Sequence, residues 1–111
     1  MPRTSGLSTT TEDDHLLPNP HPGEILRLEF MEPLGLTQNA LARAVRVPPQ
    51  RIDELVHGRR AVTADTDLRL TRYFGLSEGF FLGLQADHNL MAQRRRLGVE
   101  PAVIVDGKKG V

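Results

Sequence analysis

Cysteine and tryptophan are both missing from this chain of 111 residues. Without cysteine, neither a disulfide framework nor a zinc site with cysteine ligands can form. The sequence also has no apolar run that approaches the roughly 20 residues needed to span a bilayer, and its N-terminus has no apolar signal core. These absences predict a soluble, cytoplasmic protein that is not attached to a membrane.

Residue patterns that support catalysis or metal binding are also missing. The histidines are far apart in the sequence and show no HExxH or similar ligand spacing; they are His15, His21, His57 and His88. No glycine-rich phosphate loop and no Gly-x-Ser-x-Gly turn occurs. Asp65 and Asp67 are explained by helix stabilisation, because carboxylates in a first helical turn interact favourably with the helix dipole. We therefore expect no enzyme activity, no metal and no cofactor.

The distribution of apolar residues predicts an all-α protein with five helices in one domain, residues 21–96. Residues 1–20 are rich in Thr, Ser, Pro and Asp, and they have too few apolar groups to offset the entropy of ordering. We expect them to form a disordered arm. Residues 97–111 are expected to form a short C-terminal tail.

Helix boundaries are indicated by capping and breaking residues. Pro22 and the pair Pro48-Pro49 suit a first helical turn, where a missing amide hydrogen costs nothing. Side chains that suit the N-cap position precede helices two, four and five; they are Thr37, Thr63 and Ser77. Glycines that suit the C-terminal position follow helices one, three and four; they are Gly35, Gly58 and Gly75.

Two short amphipathic helices joined by a tight turn are predicted between Thr37 and Gly58. Their apolar residues have the spacing that closes one helix onto the next; they are Leu41, Ala42, Val45, Val47, Ile52 and Leu55. The twenty positions from Gln38 to His57 resemble a helix-turn-helix of the phage-repressor type. Arg46 stands where glycine is usual. Because a left-handed backbone costs a non-glycine residue roughly 1 kcal/mol, we expect the turn to be slightly recast.

The charges of the chain sum to zero, but they are segregated along the sequence. Residues 37–72 carry seven arginines against four carboxylates, whereas residues 1–36 carry more carboxylates than arginines. The local field controls encounter with phosphate, because salt screens distant charges. The basic region coincides with the helix-turn-helix, which favours DNA binding over an ordinary solvated face.

The second helix of such a motif lies in the major groove of DNA, and its exposed start reaches the base edges. By motif position, the residues that face the bases are Gln38, Pro49, Gln50 and Glu54. Gln50 can bind adenine in a bidentate way, and Arg51 can bind guanine or a phosphate. Glu54 can accept a hydrogen bond from cytosine or orient Arg51. We assign the phosphate contacts to Thr37, Arg59 and Arg60; the alternative for each residue is a polar surface side chain without a DNA contact.

Helix five, predicted from about Glu78 to Arg96, has apolar residues on several sides. Packing on a single small core does not use that many sides, so the excess predicts a homodimer. The alternative is that this helix simply completes the core.

Several separated motifs resemble the HigA family of antitoxins. They are H-P-G-E-I-L at residues 21–26, E-P-L-G-L-T-Q at 32–38, G-R-R at 58–60, D-T-D-L-R-L at 65–70 and F-G-L-S-E-G-F-F-L-G-L-Q at 74–85. The resemblance extends from about Pro18 to Arg95. It implies a homodimer formed through the C-terminal helical region, a HigB-like partner toxin of the RelE-like ribonuclease class, and autorepression through double-stranded operator DNA. The alternative is a stand-alone repressor without a toxin partner.

Overall fold

A computed structural model describes residues 17–98 of the chain. Within that range every regular element is helical, which confirms the predicted fold class. The chain divides into two compact units: Pro20–Leu90, and a terminal unit whose described residues are 17–19 and 91–98. Most of the predicted arm (residues 1–20) and tail (residues 97–111) lies outside the described residues, so both remain predictions.

The first helical segment combines three kinds of helix. It begins as α1 (Pro22–Ile25), continues as a π-helix (Leu26–Met31) and ends in a 3₁₀ turn (Glu32–Leu34). The π-helix has i→i+5 hydrogen bonds, so Leu26 and Met31, five residues apart, are both buried. Leu28, between these two residues, is 41% exposed.

Both ends of this segment are formed as the sequence predicted. Pro22 occupies the first turn, and the Nδ1 atom of His21 caps the helix by accepting a hydrogen bond of 2.9 Å from the Gly23 amide. At the other end, Gly35 has left-handed backbone (φ 63°).

Four α-helices follow. They are α2 (Gln38–Val45), α3 (Pro49–Val56), α4 (Ala64–Phe74) and α5 (Phe80–Leu97). They share one buried cluster with the first helical segment; its members are Leu26, Met31, Leu41, Ala42, Val45, Ile52, Leu55, Val56, Val62, Leu70 and Phe81. Phe30 contacts the rings of Phe74, Phe80 and Phe81 at centroid distances of 5.2, 5.8 and 5.6 Å. This aromatic cluster joins the first helical segment to the end of α4 and the start of α5.

The start of α1 packs tightly against the end of α3. A Cβ atom placed on Gly23 would lie 1.6 Å from the carbonyl oxygen of Leu55. Only glycine allows this approach, because any side chain would overlap the backbone of the last turn of α3. Gly23 therefore fixes how closely α1 can support the helix predicted to read DNA.

The cap of α5 differs from the prediction. The helix begins at Phe80 rather than near Glu78, and its first amides bind Asp67 of α4, whereas Ser77 contributes its backbone carbonyl to Phe80. Asp67 Oδ2 accepts from the Gly79 amide at 2.6 Å, and Oδ1 accepts from Phe81 and Leu82 at 2.8 and 3.1 Å. Only 1% of Asp67 is exposed. Sequence reading missed this role because the carboxylate and the amides are 12 to 15 residues apart.

Gln85 makes a second polar link between α5 and the rest of the unit. Its Oε1 atom accepts a hydrogen bond of 2.8 Å from the Val62 amide, in the loop that precedes α4. Phe81 and Gln85 are the buried residues of α5, whereas Leu90 is 61% exposed and Phe80 and Leu82 are also exposed. Completion of the core therefore accounts for Phe81 but not for the exposed apolar residues of α5.

Candidate nucleic-acid interface

The turn between α2 and α3 keeps the left-handed conformation that a glycine usually provides. Arg46 has φ 63° and ψ 53°, so our expectation of a recast turn was wrong. The Val47 amide donates to the Ala42 carbonyl at 3.0 Å, and the Arg46 amide donates to the Arg43 carbonyl at 3.3 Å. These are the two hydrogen bonds of a Schellman motif. Both satisfy carbonyl groups at the end of α2, which offsets part of the cost of the left-handed arginine.

A side chain from α4 also supports this turn. Arg69 Nη1 donates to the Val45 carbonyl at 2.7 Å and to the Arg46 carbonyl at 3.3 Å. The guanidinium therefore complements the negative end of the α2 dipole and binds carbonyl groups at the helix end. The motif region and α4 thus form one hydrogen-bonded structure.

Local sequence also explains the starts of α2 and α3. Thr37 is the N-cap of α2, and its hydroxyl accepts from the Ala40 amide at 3.1 Å, as predicted. Pro48 is the N-cap of α3 with extended backbone (ψ 142°), and Pro49 occupies the first turn. Pro49 and Gln50 are both exposed. The start of α3 is therefore open to a large ligand.

Glu54 holds two of the residues predicted to contact DNA. Gln50 Nε2 donates to Glu54 Oε2 at 2.9 Å, and Arg60 Nε donates to Glu54 Oε1 at 2.9 Å. These hydrogen bonds, from Gln50 first and then from Arg60, lower the pKa of Glu54 below its ordinary value, so the group is ionised at neutral pH. The interpretation that Glu54 orients Arg51 was wrong, because its partners lie one helical turn back and in the loop after α3.

The partner of Arg51 is Asp65, the first acidic residue of α4. Arg51 Nη1 lies 2.6 Å from Asp65 Oδ2, and Arg69 Nε lies 3.0 Å from the same oxygen. Hydrogen bonds from Arg51 and then from Arg69 lower the pKa of Asp65. The helix dipole therefore gives an incomplete account of Asp65, which also joins α4 to α3.

Two further residues predicted to contact DNA are Arg59, in the loop after α3, and Gln38, the first residue of α2. Arg59 Nη2 donates to Asp53 Oδ2 at 3.1 Å, and Gln38 is half-buried at the start of α2. The structure thus places the eight predicted residues at the N-cap and start of α2, on α3 and in the loop after α3. Within residues 37–72, all of which the structure describes, the ion pairs leave Arg43, Arg46 and Arg72 without a carboxylate partner. The surface around the motif is basic. Of the four carboxylates in residues 37–72, Asp67 is buried, and Asp53, Glu54 and Asp65 each bind an arginine.

Sequence reading missed Asp53, Asp65 and Arg69 as partners of the predicted DNA-binding residues. The i,i+4 spacing of Gln50 with Glu54 and of Asp65 with Arg69 was an available signal. The contact between Arg51 and Asp65 spans 14 residues and two helices, so no local pattern indicates it.

Other site types receive no support from the described part of the chain. No group of three or more His, Asp or Glu side chains with the geometry of a metal site occurs among residues 17–98. In the same range, none of the helices combines the length and apolarity that a bilayer crossing needs.

Comparison with known proteins agrees with this geometry. The helix-turn-helix family matches residues 28–81. Virulence-associated protein I of Dichelobacter nodosus is 46% identical over 84 residues, 75% of this chain and 78% of that protein. Antitoxin HigA-1 of Vibrio cholerae is 35% identical and covers 67% of this chain and 70% of its own length. A solved structure of Pseudomonas aeruginosa antitoxin HigA with the higBA promoter has a TM-score of 0.70 and 36% identity, and covers 76% of this chain and 98% of that one.

The chain belongs to the HigA family of antitoxins. The helix-turn-helix match includes α2, α3 and α4 completely, so it contains the basic surface described above. A HigA protein belongs to a class of helix-turn-helix DNA-binding regulators rather than to a class of enzymes. The resemblance seen in the sequence motifs is thereby confirmed.

Proposed function

We propose that this HigA family member is an antitoxin that binds operator DNA as a homodimer, represses its own operon and neutralises a RelE-like ribonuclease toxin. The observation that carries the DNA-binding part is the exposed start of α3, with Pro49 and Gln50 open to solvent and a surrounding basic surface. A helix presented in this way fits the major groove. The similar P. aeruginosa protein was solved with promoter DNA.

The residue roles follow from position. Gln50 and Arg51 read base edges, Gln38, Pro49 and Glu54 line the same surface, and Glu54 also orients Gln50. Residues that bind phosphate fix the register of the protein on the duplex; they are Thr37, Arg59 and Arg60.

The dimer forms through α5. Phe80, Leu82 and Leu90 remain exposed on this helix, and a second copy of the chain would remove them from water. A two-fold axis through this contact places two copies of α3 on a palindromic site, with half-sites separated by about 34 Å or a multiple of that distance.

The toxin part of the proposal rests on family membership. The partner is a HigB-like ribonuclease, and the chain itself acts by binding, without enzyme activity and without a cofactor. We place this activity in the cytoplasm, where the operator is located. We divide the chain into an arm at residues 1–20, the DNA-binding and dimerisation domain at 21–96 and a tail at 97–111.

Gel-shift titration at several salt concentrations tests the DNA-binding assignment. Arg51→Ala should weaken operator binding by roughly 1–3 kcal/mol, whereas Arg59→Ala and Arg60→Ala should weaken binding to all sequences equally and reduce its salt dependence. Unchanged affinity in all three variants would refute the assignment.

Co-expression tests the toxin assignment. The chain is produced together with the product of the adjacent open reading frame, and co-purification together with relief of growth arrest supports an antitoxin. Operator binding without either result would instead indicate a stand-alone transcriptional repressor.

A further inference from the structure

Asp65 lies where three parts of the motif region meet. One of its oxygens, Oδ2, binds Arg51 of α3, the proposed DNA-reading helix, at 2.6 Å and Arg69 of α4 at 3.0 Å. Arg69 in turn binds the carbonyl groups of Val45 and Arg46 in the turn before α3. Arg69 thus binds the Asp65 carboxylate on the side of α4, and two main-chain carbonyl groups hold Arg69 itself in place.

This arrangement limits where the Arg51 guanidinium can lie. Its side chain is only 28% exposed, although it starts from the first turn of a surface helix. The hydrogen bond to Asp65 uses Nη1, which leaves Nε and Nη2 available for the N7 and O6 acceptors of guanine. A free arginine would lose rotamer freedom on binding DNA, whereas this one is already restricted.

The neighbouring carboxylate Asp53 offers a contrast. It also binds an arginine, Arg59, but Arg59 lies in the loop after α3, is 60% exposed and is assigned to phosphate. Phosphate contacts carry no sequence information. Loss of Asp53 and loss of Asp65 therefore remove the same charge from the same surface, but only Asp65 contacts a residue assigned to a base.

We propose that Asp65 is a positioning residue for sequence readout, which orients Arg51 toward one base pair of the operator half-site. This proposal rests on the proposed function, namely that α3 reads operator DNA. Asp65 itself makes no contact with a base. Its effect passes through Arg51, so it determines discrimination between operator and other DNA more than total affinity.

The test compares Asp65→Asn with the matched variant Asp53→Asn. The probes are a duplex from the promoter upstream of the gene, the same duplex with each half-site base pair substituted in turn, and a scrambled duplex of equal length. Both variants should bind scrambled DNA more tightly, because each removes one negative charge near the phosphates. Asp65→Asn alone should reduce discrimination at one base-pair position, by about 3- to 10-fold, a part of what a complete bidentate contact provides.

A double-mutant cycle tests whether the effect passes through Arg51. In the Arg51→Ala background, Asp65→Asn should cause no further loss of discrimination at that position. Equal discrimination in Asp65→Asn and wild type, or an equal loss in the Asp53→Asn control, would overturn the proposal. Additive losses of discrimination from Arg51→Ala and Asp65→Asn in the double variant would also overturn the proposal. Absence of sequence-specific binding by the wild-type chain would instead refute the proposed function, which separates the two failures. Melting curves of both variants confirm that each is folded.

Discussion

Replacement of Asp67 by alanine is expected to destabilise the protein more than loss of any other carboxylate in the described range. The side chain is buried, and it accepts hydrogen bonds from the amides of Gly79, Phe81 and Leu82 at 2.6 to 3.1 Å. These are orphan amides of the kind that every helix start leaves without an internal partner. Alanine would leave all three without their acceptor.

The magnitude follows from the kind of bond that is lost. Hydrogen bonds to a charged group contribute about 1.5–3 kcal/mol each, and a single helix cap contributes about 0.5–2 kcal/mol. The three bonds share one carboxylate, and water can replace part of them at a helix start. We therefore expect Asp67→Ala to lower the free energy of unfolding by about 3–5 kcal/mol, near or below the lower end of the sum for three separate bonds of this kind. For a domain of this size the melting temperature should fall by roughly 15–30 °C.

Urea denaturation followed by circular dichroism, at one fixed protein concentration, measures this change. Asp67→Asn should fall between alanine and wild type, because one oxygen can still accept from Phe81 and Leu82 while the new amide group faces the donor of Gly79. Asp87→Ala removes an exposed carboxylate from α5 and serves as the control, with a change below about 0.5 kcal/mol. If Asp67→Ala stays within about 1 kcal/mol of wild type, the capping argument is wrong.

Three further predictions concern stability. Gly23→Ala should lower the free energy of unfolding by about 3 kcal/mol through overlap with the α3 backbone. The control Gly83→Ala, with no atom within 4 Å of the added Cβ, should be neutral or stabilising. Equal melting temperatures of the two variants would contradict this. Arg46→Gly should raise the free energy of unfolding by about 1 kcal/mol by removing left-handed strain, whereas Arg43→Gly, inside α2, should lower it by a similar amount; a stability loss in both would show that Arg46 is not strained. Burial, and then the nearby His88, lower the pKa of His21 below its ordinary value of 6.5. The unfolded chain therefore binds a proton more readily than the folded chain does, so the free energy of unfolding should fall as the pH decreases below 6.5. His21→Asn keeps a capping oxygen and should show a weaker dependence of melting temperature on pH, and parallel curves would exclude His21 as the source.

Most helix boundaries could be predicted because their causes are local. Thr37 and Thr63 cap the helices that they precede, and Gly35 and Gly75 take the left-handed backbone that ends a helix. A threonine hydroxyl reaches only amides two or three residues ahead, and a glycine acts through its own backbone, so one short window contains the whole interaction.

The features that escaped prediction depend on contacts between helices. The π-helix of the first segment places both Leu26 and Met31 in the core formed with the other helices, and the cap of α5 comes from Asp67 on another helix. The residues predicted to contact DNA were identified from motif position, but their orientation was not, because the carboxylates that hold them lie up to 14 residues away. Pairing across that separation is decided by how the helices pack, which the sequence pattern does not specify.

Side chains of helix α4 contact both the α2–α3 region on one side and the start of α5 on the other. Asp65 binds α3, Arg69 binds the turn between α2 and α3, and Asp67, between them in sequence, binds the start of α5. In a dimer joined through α5, these contacts fix the orientation of each α3 helix relative to the two-fold axis. One base pair inserted between the half-sites turns one of them by about 34–36°. Accommodating that rotation would break the contacts that α4 makes with α3 and α5. We therefore expect operator spacing to tolerate change much less than operator sequence does.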